Sequence, residues 1–203
     1  MALSQNDEDC ISLEGLADGS RQGDSSLRYI FSLLGVKTTF SSRQAGQPAL
    51  VTLSRRGRPV PRLEYDFVNA PDLTQTFVVC CAVMGVPFHF RGLSTLRIKE
   101  TDRIAALITE MRKLGYVLHD GDGSELIWSG ERCEAAVMQP VSDGQPPVGI
   151  DTYEDHRMAL AFAPAALRFD ALRINNPQVV SKSYPHYWDD LRSAGFVINN
   201  HEE

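Results

Sequence analysis

The sequence is short of positive charge: 20 lysines and arginines stand against 26 aspartates and glutamates, a formal net charge of −6. With that balance there is no global positive field to hold a polyanion, which argues against nucleic acid as the main partner. Any anionic ligand must be met by a few local cations. Long apolar runs are also missing. The longest, Phe77 to Phe90, is interrupted by Gly85, Pro87 and His89 and falls short of the ~18 uninterrupted apolar residues of a membrane span, so no membrane partner is expected. The first ten residues, MALSQNDEDC, are acidic and contain no apolar export region. Cysteine is sparse. Cys10, Cys80, Cys81 and Cys133 form no CxxC pair, and Cys80 and Cys81 sit in an apolar stretch where cysteine behaves as a small buried hydrophobe. The expectation is a reducing, cytoplasmic setting without a metal site.

What remains is globular in composition. The 203 residues are 43% hydrophobic and 23% charged, enough for one large domain with a sizeable core. Three segments, SSLRYIFSLLGVKTTF, RIAALITEMRKLGYVL and PHYWDDLRSAGFVI, carry helical periodicity into a glycine and then a strand-like run. Their glycines, Gly35, Gly115 and Gly195, are spaced 80 residues apart. Apolar positions coincide across the copies: Leu27, Leu107 and Tyr187 match, as do Phe31, Met111 and Leu191. These two positions lie one helical turn apart, and the glycine suits a left-handed residue just past the helix end.

Before the second and third copies stand more apolar helices, Leu73 to Met84 and His156 to Leu167, each followed by a strand, Pro87 to Leu93 and Ala171 to Asn175. Before the first copy only the strand Cys10 to Leu16 is legible, with Met1-Ala2-Leu3 where a helix would end. An internal repeat of α/β units is expected, together with a first unit cut short. RRGRPVPRLEYD and QPVSDGQPPVGIDTY, rich in proline, glycine or arginine, read as loops. The nearly all-round apolar helices are expected to be among the most buried elements.

Cations gather before helices. Thr101 suits an N-cap position, placing Lys99 and Glu100 in the approach and Arg103 in the first turn. Asp155 can cap a helix opened by His156 and Arg157, and Ser183 one with Pro185 in its first turn and Lys182 just before it. Basic residues are disfavoured at that end of the helix dipole unless an anion or a carboxylate answers them. Taken singly, each has a plainer reading: Lys99 or Arg103 pairing with Glu100, Asp102 or Glu110, His156 capping or packing, Lys182 solvated, Glu100 and Asp66 as surface carboxylates. Their threefold recurrence points instead to a shared anion site.

The motifs LRIKETDRI, DTYEDHRMA and SKSYPHYWDDL, in that order, with YDFVNAPD and GSRQGD upstream, resemble the carboxy-terminal part of the 5-enolpyruvylshikimate-3-phosphate synthase family, from about Cys10 to Val197. The resemblance implies an inside-out α/β barrel domain built of repeated βαβαββ-like units spanning residues 1–203, with an amino-terminal domain of the same protein missing. It implies transfer of the enolpyruvyl group of phosphoenolpyruvate to the 5-hydroxyl of shikimate 3-phosphate, with release of phosphate and without metal or organic cofactor. By position, Arg103, Arg157 and Lys182 would hold phosphoenolpyruvate, while Asp66 and Lys99 would contact shikimate 3-phosphate. Thr95 stands where some members carry an asparagine for that substrate. Asp66 and Glu100 would handle protons at the attacking hydroxyl and the methylene, and His156 would adjoin the site. Two other readings stand beside this one. The related UDP-N-acetylglucosamine enolpyruvyl transferase shares the fold but lacks the combined KETDR and DHRMA pattern. The other is a non-catalytic half-domain that binds anions.

Overall fold

The computed structural model describes residues 1–4, 6, 9–17, 26–42, 47–139 and 147–199. Alternation of apolar and polar residues produces β1 (Cys10–Ala17), β2 (Val36–Phe40) and β3 (Pro48–Arg55), with the short helix α1 (Leu27–Leu33) between β1 and β2. They form an antiparallel sheet in the order β1-β3-β2. Next come β4 (Leu63–Asp66), α2 (Thr74–Met84), β5 (Phe88–Arg91), α3 (Arg103–Lys113), β6 (His119–Asp120) and β7 (Leu126–Trp128). Their sheet runs β4-β5-β7-β6, parallel between β4 and β5 and antiparallel beyond. The last group is β8 (Gly149–Ile150), α4 (His156–Phe162), β9 (Arg173–Ile174) and α5 (Tyr187–Ser193), with β8 and β9 parallel.

The middle group is a complete βαβαββ unit. The first sheet repeats its last three strands, with β1, β3 and β2 standing for β5, β7 and β6, so the repeat seen in sequence is a repeat of topology. Gly35, Gly115 and Gly195 all have positive φ, at 84°, 86° and 97°, as expected of residues that end helices. Behind Gly115 the N–H of Tyr116 reaches back to the Met111 carbonyl at 2.9 Å, and an added Cβ on Gly115 would lie 2.9 Å from the Cys133 carbonyl oxygen. Gly115→Ala therefore combines a left-handed backbone cost of about 1–2 kcal/mol with a backbone clash. The expected loss of stability, read from urea unfolding, exceeds 1 kcal/mol.

The helices α2 and α4 occupy the interior. On α2, Phe77, Val78, Val79, Cys81 and Ala82 are fully buried, and α4 buries Met158, Ala159, Ala161 and Phe162. The two helices pack on each other, as their all-round apolar composition requires. Burial pushes the Cys80 thiol up to about 12, so Cys80 is an inert hydrophobe. Among the described residues no helix is long and apolar enough to cross a membrane.

Several local expectations need correction. The N-cap of α3 is Asp102, not Thr101: the Asp102 carboxylate accepts from the Ala105 N–H at 3.0 Å and also pairs with Arg97. Ser183 is not a helix N-cap but follows the end of a turn. Its N–H and that of Tyr184 both donate to the Val180 carbonyl, closing the 3-10 turn Pro177–Lys182, and α5 starts only at Tyr187. Lys182 thus ends one turn rather than opening a helix. The stretch from His156 to Leu167 is not one helix, because Pro164 cannot donate to the helical ladder and the chain tightens into a 3-10 turn over Ala163–Arg168. RRGRPVPRLEYD is a loop only in its middle, since Arg55 ends β3 and LEYD is β4. In QPVSDGQPPVGIDTY, Gly149–Ile150 forms β8. No strand follows Gly195 among the described residues. GSRQGD, residues 19–24, lies outside the described residues.

Candidate functional site

The candidate residues leave the carboxyl ends of parallel strands, where ligand clefts of α/β proteins form. Asp66 ends β4. Thr95, Lys99 and Glu100 follow β5 and lead into Arg103, the first residue of α3. Asp155, His156 and Arg157 follow β8 at the start of α4, and Lys182 follows β9.

Arg103 is the hub. Its side chain is 2% exposed, and a buried guanidinium must be paired. Nε and Nη2 donate to the two oxygens of Asp155 at 2.5 and 3.2 Å, Nη1 to Asp72 Oδ1 at 2.7 Å and Nη2 to Glu100 Oε2 at 2.7 Å. Asp155 is fully buried and also caps α4, accepting from the Arg157 N–H at 2.9 Å. One carboxylate thereby locks the start of α3 to the start of α4. Three carboxylates answer the first-turn arginine and offset its unfavourable place at the positive end of the dipole.

Asp72 gathers the other cations. Arg157 donates from Nη1 to the Asp72 carbonyl at 3.0 Å, with Nη2 3.5 Å from Oδ2. Lys99 Nζ lies 3.4 Å from Oδ1. Unlike Arg103, these groups face water: the side chains of Asp72, Lys99 and Arg157 are 37%, 35% and 33% exposed. His156 Nδ1 stands 3.9 Å from Asp155 Oδ1. The structure thus brings Lys99, Glu100, Arg103, His156 and Arg157 into one cluster.

Asp66, Thr95 and Lys182 are not hydrogen-bonded to that cluster. The Asp66 carboxylate accepts the Val68 N–H at 2.9 Å. Gly92, at the exit of β5 with φ 75°, lies so close that a Cβ there would be 2.6 Å from the Val68 nitrogen, and the Phe67 N–H donates to the Arg91 carbonyl at 2.9 Å, joining the β4 and β5 exits. Thr95 and Lys182 are exposed, and the turn that ends in Lys182 packs on α4.

Two further residues belong to the cluster, and sequence reasoning gave neither this role. Asp155 was legible only as a cap. Asp72 lies in the quoted YDFVNAPD motif without an assignment. The available signal was electrostatic: an arginine in the first turn of a helix, against the dipole, needs a carboxylate from somewhere.

The charges perturb one another. Partial burial pushes the Asp72 carboxyl up, but Arg157, Lys99 and Arg103 outweigh it and hold it below its ordinary value. Glu100 is held down first by its own backbone N–H, against a small burial effect, and then by Arg103 and His156. Carboxyls depressed in the fold contribute stability that is complete above their unfolded values of 3.8 and 4.5 and is lost as pH falls through the lower folded ones. The urea midpoint is accordingly expected to drop between pH 5 and pH 3, and to drop less in Asp72→Asn.

Behind the cluster a second buried carboxylate sets the loop that leads into α4. Glu110, fully buried, accepts from the Asp151 N–H at 3.0 Å and the Tyr153 hydroxyl at 2.7 Å and pairs with Lys113 at 2.7 Å. It holds a turn in which Tyr153 and Glu154 both adopt positive φ, 54° and 57°, a conformation that non-glycine residues keep only when the surroundings impose it.

A family profile described as EPSP synthase (3-phosphoshikimate 1-carboxyvinyltransferase) matches residues 4–191. A 3-phosphoshikimate 1-carboxyvinyltransferase of Bacteroides fragilis is 54% identical over 193 residues, covering 95% of this chain and 43% of that protein. One of Cellvibrio japonicus is 33% identical over 181 residues, covering 88% and 38%. The chain spans less than half the length of these curated relatives. A solved structure of EPSP synthase from Acinetobacter baumannii superposes with a TM-score of 0.69 at 20% identity, over 94% of this chain and 42% of that one. At that identity the likeness establishes the fold, an inside-out α/β arrangement with helices within and sheets without.

Proposed function

The chain belongs to the EPSP synthase family, and from that premise we propose that it forms one wall of an enolpyruvyl transferase site, as a carboxy-terminal domain over residues 1–203 that works with an amino-terminal domain of the same protein. The reaction is transfer of the enolpyruvyl group of phosphoenolpyruvate to the 5-hydroxyl of shikimate 3-phosphate. The observation that carries this reading is the convergence of Lys99, Arg103 and Arg157 on one carboxylate, that of Asp72, because a place that holds one anion with three cations suits the phosphate and carboxylate of phosphoenolpyruvate.

Arg157 is the partly open guanidinium and takes the anion directly. Arg103, nearly buried, spends four of its five N–H groups on carboxylates, so it contributes one remaining Nη1–H and a fixed positive charge. Lys182, exposed on the turn beside α4, closes on phosphoenolpyruvate as a mobile ammonium. Lys99, Asp66 and Thr95 face the shikimate 3-phosphate side.

In the addition step the 5-hydroxyl oxygen bonds to C2 of phosphoenolpyruvate. Asp66 takes the hydroxyl proton, and Glu100, which its surroundings favour as the carboxylate, first takes up a proton from solvent and then delivers it to the C3 methylene. In the elimination a C3 proton returns to Glu100 as the C2–O bond to phosphate breaks, and the proton held by Asp66 passes to the departing phosphate, leaving enolpyruvyl ether and inorganic phosphate. The test is phosphate release from phosphoenolpyruvate, dependent on shikimate 3-phosphate, by this chain joined to the portion of the Bacteroides fragilis relative that it does not match. Release that Glu100→Ala leaves unchanged would remove Glu100 from the chemistry, and no release at all would reject the reading.

A further inference from the structure

We propose that Arg97, which takes no part in the reaction scheme, is the positioning residue for Lys99 and Glu100: it staples the segment that carries them and pins it to the turn between β6 and β7. The inference rests on the assignment of Lys99 and Glu100 to the site. That segment has little apolar anchorage. Of the described residues 94–102 only Leu96 is buried, while Ile98, Lys99 and Glu100 are exposed, Ile98 by 84%. A stretch with so few buried contacts owes its conformation to polar ones.

Arg97 supplies them. It lies in the 3-10 turn Ser94–Ile98, and its Nη1 donates to Asp102 Oδ2 at 2.8 Å, closing a ring of chain around Ile98, Lys99, Glu100 and Thr101. The other oxygen of Asp102 caps α3 through the Ala105 N–H, so the staple is continuous with the helix start. Arg97 Nε donates to the Gly123 carbonyl at 3.0 Å and Nη2 to the Asp120 carboxylate. All three guanidinium nitrogens are therefore engaged, on three acceptors. The β6–β7 turn is preformed to receive them: the Gly123 N–H donates to Asp120 Oδ1 at 2.7 Å, and Gly123 has φ 90°. The same turn accepts the Leu93 N–H on the Ser124 carbonyl at 2.9 Å, which ties down the other end of the 3-10 turn. Single surface ion pairs are worth little, but a shared network is the exception, and a lysine lacks the planar fork needed to span it. Arg103 also binds Glu100, Nη2 to Oε2 at 2.7 Å. That contact fixes the tip of one side chain, whereas Arg97 fixes the backbone that carries both. A shift of about 1 Å in such a backbone costs on the order of 10²-fold in rate.

The experiment has two arms. In the 203-residue chain, Arg97→Ala is compared with the unaltered protein by hydrogen exchange read by NMR. The expected result is exchange at least tenfold faster at the Leu96 and Ala105 amides, with α2 and α4 unchanged. In the chain joined to the unmatched portion of the Bacteroides fragilis relative, the same variant is followed by steady-state phosphate release. There kcat is expected to fall at least tenfold, through Glu100, and KM for shikimate 3-phosphate to rise, through Lys99. KM for phosphoenolpyruvate stays within threefold, because Arg157 and Lys182 stand on other segments, and Arg97→Lys restores neither parameter. Should Arg97→Ala fail to fold, Asp120→Ala, which leaves the bonds to Asp102 and Gly123, carries both arms. Unchanged exchange, an unchanged kcat, or two KM values that move together as general loosening would move them, overturns the proposal. Faster local exchange with no phosphate release even from the unaltered joined enzyme upholds the staple and counts against the enolpyruvyl reading.

Discussion

Asp155→Ala is expected to destabilise the protein by about 3–5 kcal/mol, the usual cost of removing one partner of a buried ion pair and leaving the other charge stranded. Arg103 and Asp155 are 2% and 0% exposed and joined by two hydrogen bonds. The same substitution removes the cap of α4, worth about 1 kcal/mol by itself. Asp72 and Glu100 still contact Arg103, which pulls the expected value toward the lower end of the range. The contrast is the surface pair of Arg62 and Glu64, 41% and 53% exposed, where Glu64→Ala is expected to change stability by no more than about 1 kcal/mol. Urea unfolding of both variants separates the cases. A loss below 1 kcal/mol for Asp155→Ala would show that Arg103 finds water or another carboxylate once its partner is gone, and that the two helix starts are held together by packing alone.

This pair also shows where reading the sequence stops. The repeated units, their glycine-terminated helices and the buried character of α2 and α4 are legible because they rest on local periodicity and on residues whose backbone preferences are strong. Cap positions are less so. At α3 the choice between Thr101 and Asp102 turned on which side chain could reach the Ala105 N–H while also binding Arg97, a competition between neighbours rather than a propensity. The site's cations were legible by their odd placement at helix starts, but their carboxylates were not. Asp72 and Asp155 reach Arg103 from 31 and 52 residues away, and Glu110 reaches the Asp151–Tyr153 turn from 41 and 43. No spacing rule links such pairs, because the fold makes them neighbours. Lys182 failed for a related reason. Its place before Ser183 and Pro185 looks like a helix start, yet the Val180 carbonyl captures both following N–H groups and delays the helix.

The second large effect is on turnover. Assayed alone with phosphoenolpyruvate and shikimate 3-phosphate, the 203-residue chain is expected to release phosphate no faster than a blank, and to do so measurably once joined to the unmatched portion of the Bacteroides fragilis relative. Holding two reactants in alignment can supply roughly 7–11 kcal/mol of barrier reduction, but only when both are held. The cluster described here cannot do that by itself. Its three cations are formally neutralised by Asp72, Glu100 and Asp155, and Lys99 and Arg157 stand at an open surface, about one-third exposed, where salt screens each contact to a small value. A facing wall that excludes water would strengthen those same contacts several-fold, since the attraction scales inversely with the local dielectric. In the joined enzyme, Arg157→Ala is expected to reduce kcat/KM by roughly 10²–10³, the usual loss when one preorganised donor is withdrawn from developing charge. Phosphate release by the isolated chain that disappears in Glu100→Ala would overturn this account, because it would mean that Lys99, Glu100, Arg103 and Arg157 align both substrates without any second wall.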